Sequence, residues 1–133
     1  MINLYFHGRV KNRKRYEEFA CNVVNELLPR PFKREIEVLV HFTKNIVEMG
    51  LCHLEDTNYV AIQINTNQSA GEIAQTLAHE LVHAKQFIRK ELNGEMTRWK
   101  KDHIPEDVMI PYRNQPWEIE AYATEGQLTE TYW

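Results

Sequence analysis

Cysteine is nearly absent from this chain: Cys21 and Cys52 are the only two in 133 residues, and no Cys-x-x-Cys pair occurs. That excludes a disulfide framework and predicts a reducing compartment, the cytoplasm, or the host cytoplasm for a viral protein. Glycine and proline are also sparse, with five of each, and neither a flexible linker nor a low-complexity segment is present. No internal repeat is found. No apolar run approaches the roughly 20 residues that cross a bilayer, so no membrane partner is expected. The opening Met1-Ile2-Asn3-Leu4-Tyr5-Phe6-His7-Gly8 reads as too short and too polar for a secretory signal. What remains is ordinary globular composition, 43% hydrophobic and 26% charged, which suits one domain over residues 1–133 with a real core.

The net charge of −3 conceals an asymmetry. Residues 1–34 carry eight basic side chains against Glu17, Glu18 and Glu26, whereas residues 102–133 carry seven acidic ones against Arg113 alone. A basic end of this kind can meet nucleic acid or an acidic partner. Charge runs are more often a solvated helix face, and no interleaved aromatics form a stacking platform here. Nucleic acid is therefore not the expected partner.

The hydrophobic pattern predicts an α+β domain. Residues 1–6 suit a short strand ended by Gly8. Tyr16, Phe19, Ala20, Val23, Val24, Leu27 and Leu28 recur at helical spacing, and Pro29 and Pro31 stop that helix. Glu35 to Phe42 alternates as a half-buried strand. Gly50 to Glu55 and Tyr59 to Asn65, joined by Asp56-Thr57-Asn58, predict a hairpin. Ser69 and Glu72 have the spacing of a capping box, and the helix they open is expected to run to Asn93-Gly94. Residues 95–115 show no period and predict a connection with one short helix. Pro116 suits the first position of a last helix, with Trp117, Ala121 and Leu128 along one side. The expected architecture is an N-terminal helix, a small mixed sheet of about three strands, the central helix, a connection and a C-terminal helix.

Within the central helix lies His79-Glu80-Leu81-Val82-His83. Residues four apart on a helix stand one above the other, so two imidazoles can address one metal ion while the intervening glutamate reaches a bound water. Ile73, Leu77, Leu81, Ala84 and Ile88 make an aliphatic stripe on the opposite side. The histidines share their face with Glu72, Thr76, Glu80 and Gln86, the side a polar site would occupy.

A catalytic zinc needs three protein ligands and one open position. Of the other histidines, His7, His41, His53 and His103, only His103 is a contender for the third place, and its neighbours give it no support. Gln86 and Arg89 replace the glycine and histidine of the metzincin pattern, which rules that class out. The better candidate lies in Pro116-Trp117-Glu118-Ile119-Glu120-Ala121-Tyr122, where a glutamate on a second helix would complete a His-His-Glu set.

With these two stretches the chain resembles the gluzincin zinc metallopeptidases, and small phage-encoded metallopeptidases in particular. In that family the ligand glutamate sits in an ExxA pattern, matched here by Glu118 and Ala121. The resemblance covers the two helices, about a third of the chain, and reaches the strands only through their order. It implies a minimal zincin fold with Zn2+ held by His79, His83 and Glu118. Tyr122 stands where many members carry Asp or Asn, so the group that orients a histidine would come from elsewhere, such as Glu125. Glu120 is the rival ligand: on a helix it points roughly 160° away from Glu118, so at most one of the two binds.

The chemistry so implied is hydrolysis of a peptide or protein substrate, with Glu80 as general base and then as proton donor to the leaving amine. Tyr112, Tyr122 and His103 are the candidate donors to the oxyanion. The strand Tyr59–Asn65 is expected to pair with an extended peptide if it lies at the sheet edge. Two other readings compete. One is a zincin-fold binding protein without turnover. The other is a DNA-associated protease of SprT-like type, which would need a third histidine in a context that His103-Ile104-Pro105 does not reproduce. Substrate specificity would reside in the loop 94–115.

Overall fold

Ile36, Val38, Val40 and Phe42 are buried in alternation with more exposed neighbours, and this period of two makes Ile36–Thr43 the strand on which the sheet is built. In the computed structural model, which describes residues 1–104 and 110–133, this strand is β2. The order is β1 (Ile2–Gly8), α1 (Arg13–Leu27), β2, β3 (Gly50–Asp56), β4 (Tyr59–Asn65), α2 (Ala70–Ile88), β5 (Arg98–Trp99), β6 (Asp102–His103) and α3 (Pro116–Tyr132). The fold is α+β, with a mixed sheet in the order β1-β2-β4-β3. β1 and β4 pair with β2 in parallel, Leu4 opposite Val38 and Val38 opposite Val60. β3 pairs antiparallel with β4, as the hairpin spacing predicts.

The sheet has four strands where about three were expected, because the α1 crossover brings Ile2–Gly8 back beside β2 along its full length. β4 is also not at the edge. It lies between β2 and β3, which leaves β3 as the edge strand on that side. A parallel partner cannot be joined by a tight turn, so the hairpin puts its first strand outside.

One sheet face is apolar. Val38, Val40, Phe42, Val60, Ile62 and Ile64 are buried there in the same cluster as Tyr16, Phe19, Ala20 and Val23 of α1 and Ile73, Leu77 and Leu81 of α2. α3 packs mainly on α2 and only lightly on α1. α2 is buried on nearly every side from Ile73 to Ile88, so its polar face is as enclosed as its aliphatic one.

α2 stops at Ile88, earlier than Asn93-Gly94. The Lys90 N–H donates to the Phe87 carbonyl at 3.0 Å and the Glu91 N–H to the Gln86 carbonyl at 2.8 Å, a Schellman closure with Lys90 at φ 59°. The helix ends there because this turn drops Leu92 into the core, where it is 1% exposed. Among its described residues the connection holds the small β5–β6 hairpin and one 3₁₀ turn at Tyr112–Asn114. Its residues 105–109, Val108 among them, lie outside the described residues. Among the described residues no helix is long and apolar enough to cross a membrane.

Candidate metal centre

Two helices bring the site together. α2 begins with the predicted capping box: Ser69 Oγ accepts from the Glu72 N–H at 3.3 Å and Glu72 Oε1 accepts from the Ser69 N–H at 3.0 Å. Two turns further on, His79 and His83 project toward α3, which starts at Pro116 and carries Glu118 in its first turn. His79 Nε2 lies 2.9 Å from Glu118 Oε1, His83 Nε2 lies 3.1 Å from the same oxygen, and the two Nε2 atoms are 3.2 Å apart. All three side chains are buried. Among the described residues this is the one group of three potential ligands gathered closely enough to hold a metal ion.

The second nitrogen of each imidazole decides what the first can do. His83 Nδ1 is 2.8 Å from Gln86 Oε1. The Gln86 amide nitrogen donates to the Trp117 carbonyl and to Glu120 Oε1, both at 3.0 Å, and these two acceptors fix the amide's orientation. Gln86 Oε1 is therefore an acceptor, His83 Nδ1 carries the proton, and the Nε2 lone pair points into the cluster. His79 Nδ1 lies 3.5 Å from Glu125 Oε2, which selects the same tautomer. The Tyr122 ring packs on His79 with centroids 4.6 Å apart.

Three acceptor atoms facing one another inside a protein repel unless a cation joins them. The titration behaviour reflects this. Burial lowers the pKa of His79, but hydrogen bonds that it donates to Glu118 and Glu125 outweigh it and hold the imidazole at about 9. Burial opposes ionisation of Glu118 too, and the two histidines overcome it, leaving this carboxyl at about 2. Glu80 has no such partner: burial pushes it up to about 7 against the pull of His83 and His79.

Glu80 lies against the first residue of the edge strand. A β-carbon at Gly50 would stand 2.6 Å from Thr76 Cγ2 and 2.8 Å from Glu80 Oε2, so only glycine lets β3 approach this carboxylate. Gly50, Leu51, Glu80, His79, Tyr112, Arg113 and Tyr122 line an open cleft of about 530 Å³. Tyr112 and Tyr122 both reach it. Partial burial and then the Glu118 carboxylate raise the pKa of the Tyr112 phenol, which keeps it a donor.

Glu120, the rival ligand, faces away from the cluster. Its Oε1 accepts from Lys85 Nζ at 2.9 Å, and Lys85 also meets Glu91 at 2.9 Å, a brace between α2 and α3. His103 is exposed on β6, and His53 is exposed on β3. His7 and His41 meet across β1 and β2, with centroids 5.0 Å apart and ring planes tilted by 50°. None of these four belongs to the cluster. Two contributions to this geometry were not anticipated: Gln86 as the anchor of His83, and Gly50 as the gap that admits Glu80. The first had a signal in the sequence, since Gln86 stands three residues after His83 and so on the same helix face. The second depends on the hairpin's register and had none.

No family model, curated protein or solved structure matches the chain. The functional reading rests on the residues themselves.

Proposed function

We propose that this protein is a zinc-dependent metallopeptidase of gluzincin type. The observation that carries the reading is the convergence of His79 Nε2, His83 Nε2 and Glu118 Oε1, with each histidine's Nδ1 turned outward to an acceptor. Two imidazoles presenting Nε2, with zinc taking the place of the proton that His79 otherwise holds, and a carboxylate are the donor set that suits zinc, and the outward partners are those that orient such ligands. When bound, zinc would act as a Lewis acid and lower the pKa of a water molecule in its open position. Glu80, on the same helix face and at the cleft wall, takes the proton from the attacking water on its carboxylate and passes it to the leaving amine nitrogen. The Tyr112 hydroxyl, beside Glu118 in the cleft, is the donor best situated for the developing oxyanion. Tyr122, whose ring is packed on His79, serves as a wall of the site, and exposed His103 has no part in it. An extended peptide laid along β3 would bring its carbonyl past Gly50 and Glu80, because β3 and not β4 has the unpaired edge.

Metal analysis of the purified chain beside Glu118→Ala and Glu120→Ala tests the ligand set. Zinc is expected to bind the wild type and Glu120→Ala, with weaker affinity in the latter, and to be lost from Glu118→Ala. Undiminished zinc in Glu118→Ala sinks the assignment. A peptide-library digestion with Glu80→Gln then separates an enzyme from a silent binding protein. Cleavage should fall by about 10²–10⁴-fold with zinc retained, and equal cleavage by both proteins would mean that the activity comes from a contaminant.

A further inference from the structure

A second concavity lies away from the metal cleft, at the carboxyl ends of the three parallel strands. β1 ends at Gly8, β2 at Thr43 and β4 at Asn65, and the segments that follow them border an open cavity of about 620 Å³. Its walls come from the β1–α1 loop, from Lys44, from Thr66 and Gln68 before α2, and from Trp133. It shares no lining residue with the cleft around Glu80.

The charge of this cavity is one-sided. Arg9, Lys11, Arg13, Arg15 and Lys44 line it, and no aspartate or glutamate does. The chain as a whole has 16 basic and 19 acidic residues, so an acid-free wall with five cations is not what its composition supplies by default. The five cations divide by role. Arg13 is fixed, donating to the carbonyls of Gly8 and Phe6 and pairing with Glu17 at 3.6 Å. Arg15 is fixed too, over the Trp133 ring with its guanidinium carbon 3.8 Å from the centroid. Arg9, Lys11 and Lys44 have no ion pair among the described residues.

The backbone contributes to the same concavity. Gly8 has φ +95°, and a β-carbon there would stand 2.0 Å from the Phe42 carbonyl oxygen, so the loop leaves β1 pressed against β2. α1 then begins with Arg13, Lys14 and Arg15, with no acidic residue in its first turn and no side-chain cap. Three like charges at a helix N-terminus oppose the helix dipole, an arrangement that an anion reverses in sign.

We propose that this cavity binds a phosphate-bearing anion, with Arg9, Lys11 and Lys44 as its mobile ligands and Arg13 and Arg15 as its fixed wall. Several cations disposed around one concavity match an anion with several charged oxygens better than a single carboxylate. The phosphate can belong to a small oligophosphate or to a nucleic-acid strand, and the probes below separate these sources.

Titration calorimetry of the full chain with pyrophosphate, at about 0.1 M ionic strength to screen diffuse attraction, tests the site. The partner variants are Lys11→Ala/Lys44→Ala and a control pair elsewhere on the surface, Arg98→Ala/Lys101→Ala, both exposed. Pyrophosphate is expected to bind the wild type and the control pair alike, and Lys11→Ala/Lys44→Ala at least about tenfold more weakly, as for loss of a charge-assisted contact. A single-stranded DNA of about 12 nucleotides is the second probe. Tighter binding of the strand than of pyrophosphate, lost in the same variant, would support the site and identify a strand as the phosphate source. Absence of binding by both probes, or equal weakening by the control pair, would overturn the proposal. Glu118→Ala should bind pyrophosphate as the wild type does, so failure here is distinguishable from failure of the metal assignment.

Discussion

The two sides of α2 are both buried, yet they are built on different principles. Toward the sheet and α1 the contacts are aliphatic and aromatic, with Leu77, Leu81, Val40, Phe42, Ile62 and Phe19 among the most enclosed side chains. Toward α3 they are polar. Every buried polar or charged side chain among the described residues, namely Thr76, His79, Glu80, His83, Gln86, Glu118 and Glu125, belongs to α2 or α3. The apolar side gains from area removed from water and from close packing, which are non-directional. The polar side gains little net from each hydrogen bond, but loses much when one partner is removed and the other stays buried. The apolar side therefore holds the fold, and the polar side holds a geometry.

The largest expected effect tests whether these two jobs are separable. Leu77 is fully buried in the apolar cluster. Leu77→Ala should cost about 2–5 kcal/mol in chemical denaturation, by lost transfer energy and a residual cavity. Zinc affinity of the folded fraction should stay unchanged, because no polar contact to α3 is touched. A loss of affinity in step with stability would break the division between the two sides.

Gly50 sits where the sides meet, since β3 belongs to the sheet and its first residue touches Glu80. Gly50→Ala must push the Glu80 carboxylate or the strand aside. If the peptidase reading holds, kcat should fall by about 10²-fold, as expected for a misplaced general base, while zinc content and the denaturation midpoint change little. A variant with normal kcat would show that the edge strand does not position Glu80.

Gln86 sharpens the comparison from within the polar side. It joins His83 to Glu120 and to the Trp117 carbonyl, and is itself 0% exposed. Gln86→Ala frees the His83 tautomer and leaves Glu120 with Lys85 alone, so zinc affinity should drop by about 10–100-fold. Competition with a chelator measures it. Unchanged affinity would mean that the cluster does not need its outward anchors.

How much of this was legible from the residues follows the same division. Local, periodic features were readable: the alternation in Ile36–Phe42, the Ser69–Glu72 capping box, the i,i+4 pair His79 and His83, and Pro116 opening α3. The approach of Glu118 to the histidines needed more, because it spans 35 residues and the connection before it has no period. The family resemblance supplied the residue that spacing left open between Glu118 and Glu120. The edge position of β3 and the pairing of the N-terminal strand with β2 were not readable, since sheet order depends on long-range pairing through α1 that no local pattern records. The early end of α2 was missed because glycine marks a left-handed turn and here lysine adopts one.

That lysine gives the smallest and cleanest effect, and it lies outside both sides of the comparison. Lys90 closes α2 at φ 59°, a backbone conformation that crowds its β-carbon against the following carbonyl. Its side chain is exposed, and no ion pair is given up on replacement among the described residues. Lys90→Gly relieves the crowding but widens the unfolded ensemble, and the two effects oppose each other. Relief of a left-handed non-glycine residue is about 1–2 kcal/mol and the added chain entropy about 0.5–1 kcal/mol, so a net gain of about 0.5–1 kcal/mol is expected. Urea denaturation should show a higher midpoint at unchanged slope, with zinc affinity untouched. A lower midpoint would mean that the turn after Ile88 is held by more than the backbone bonds to Phe87 and Gln86, and that the lysine stem contributes to closing the helix.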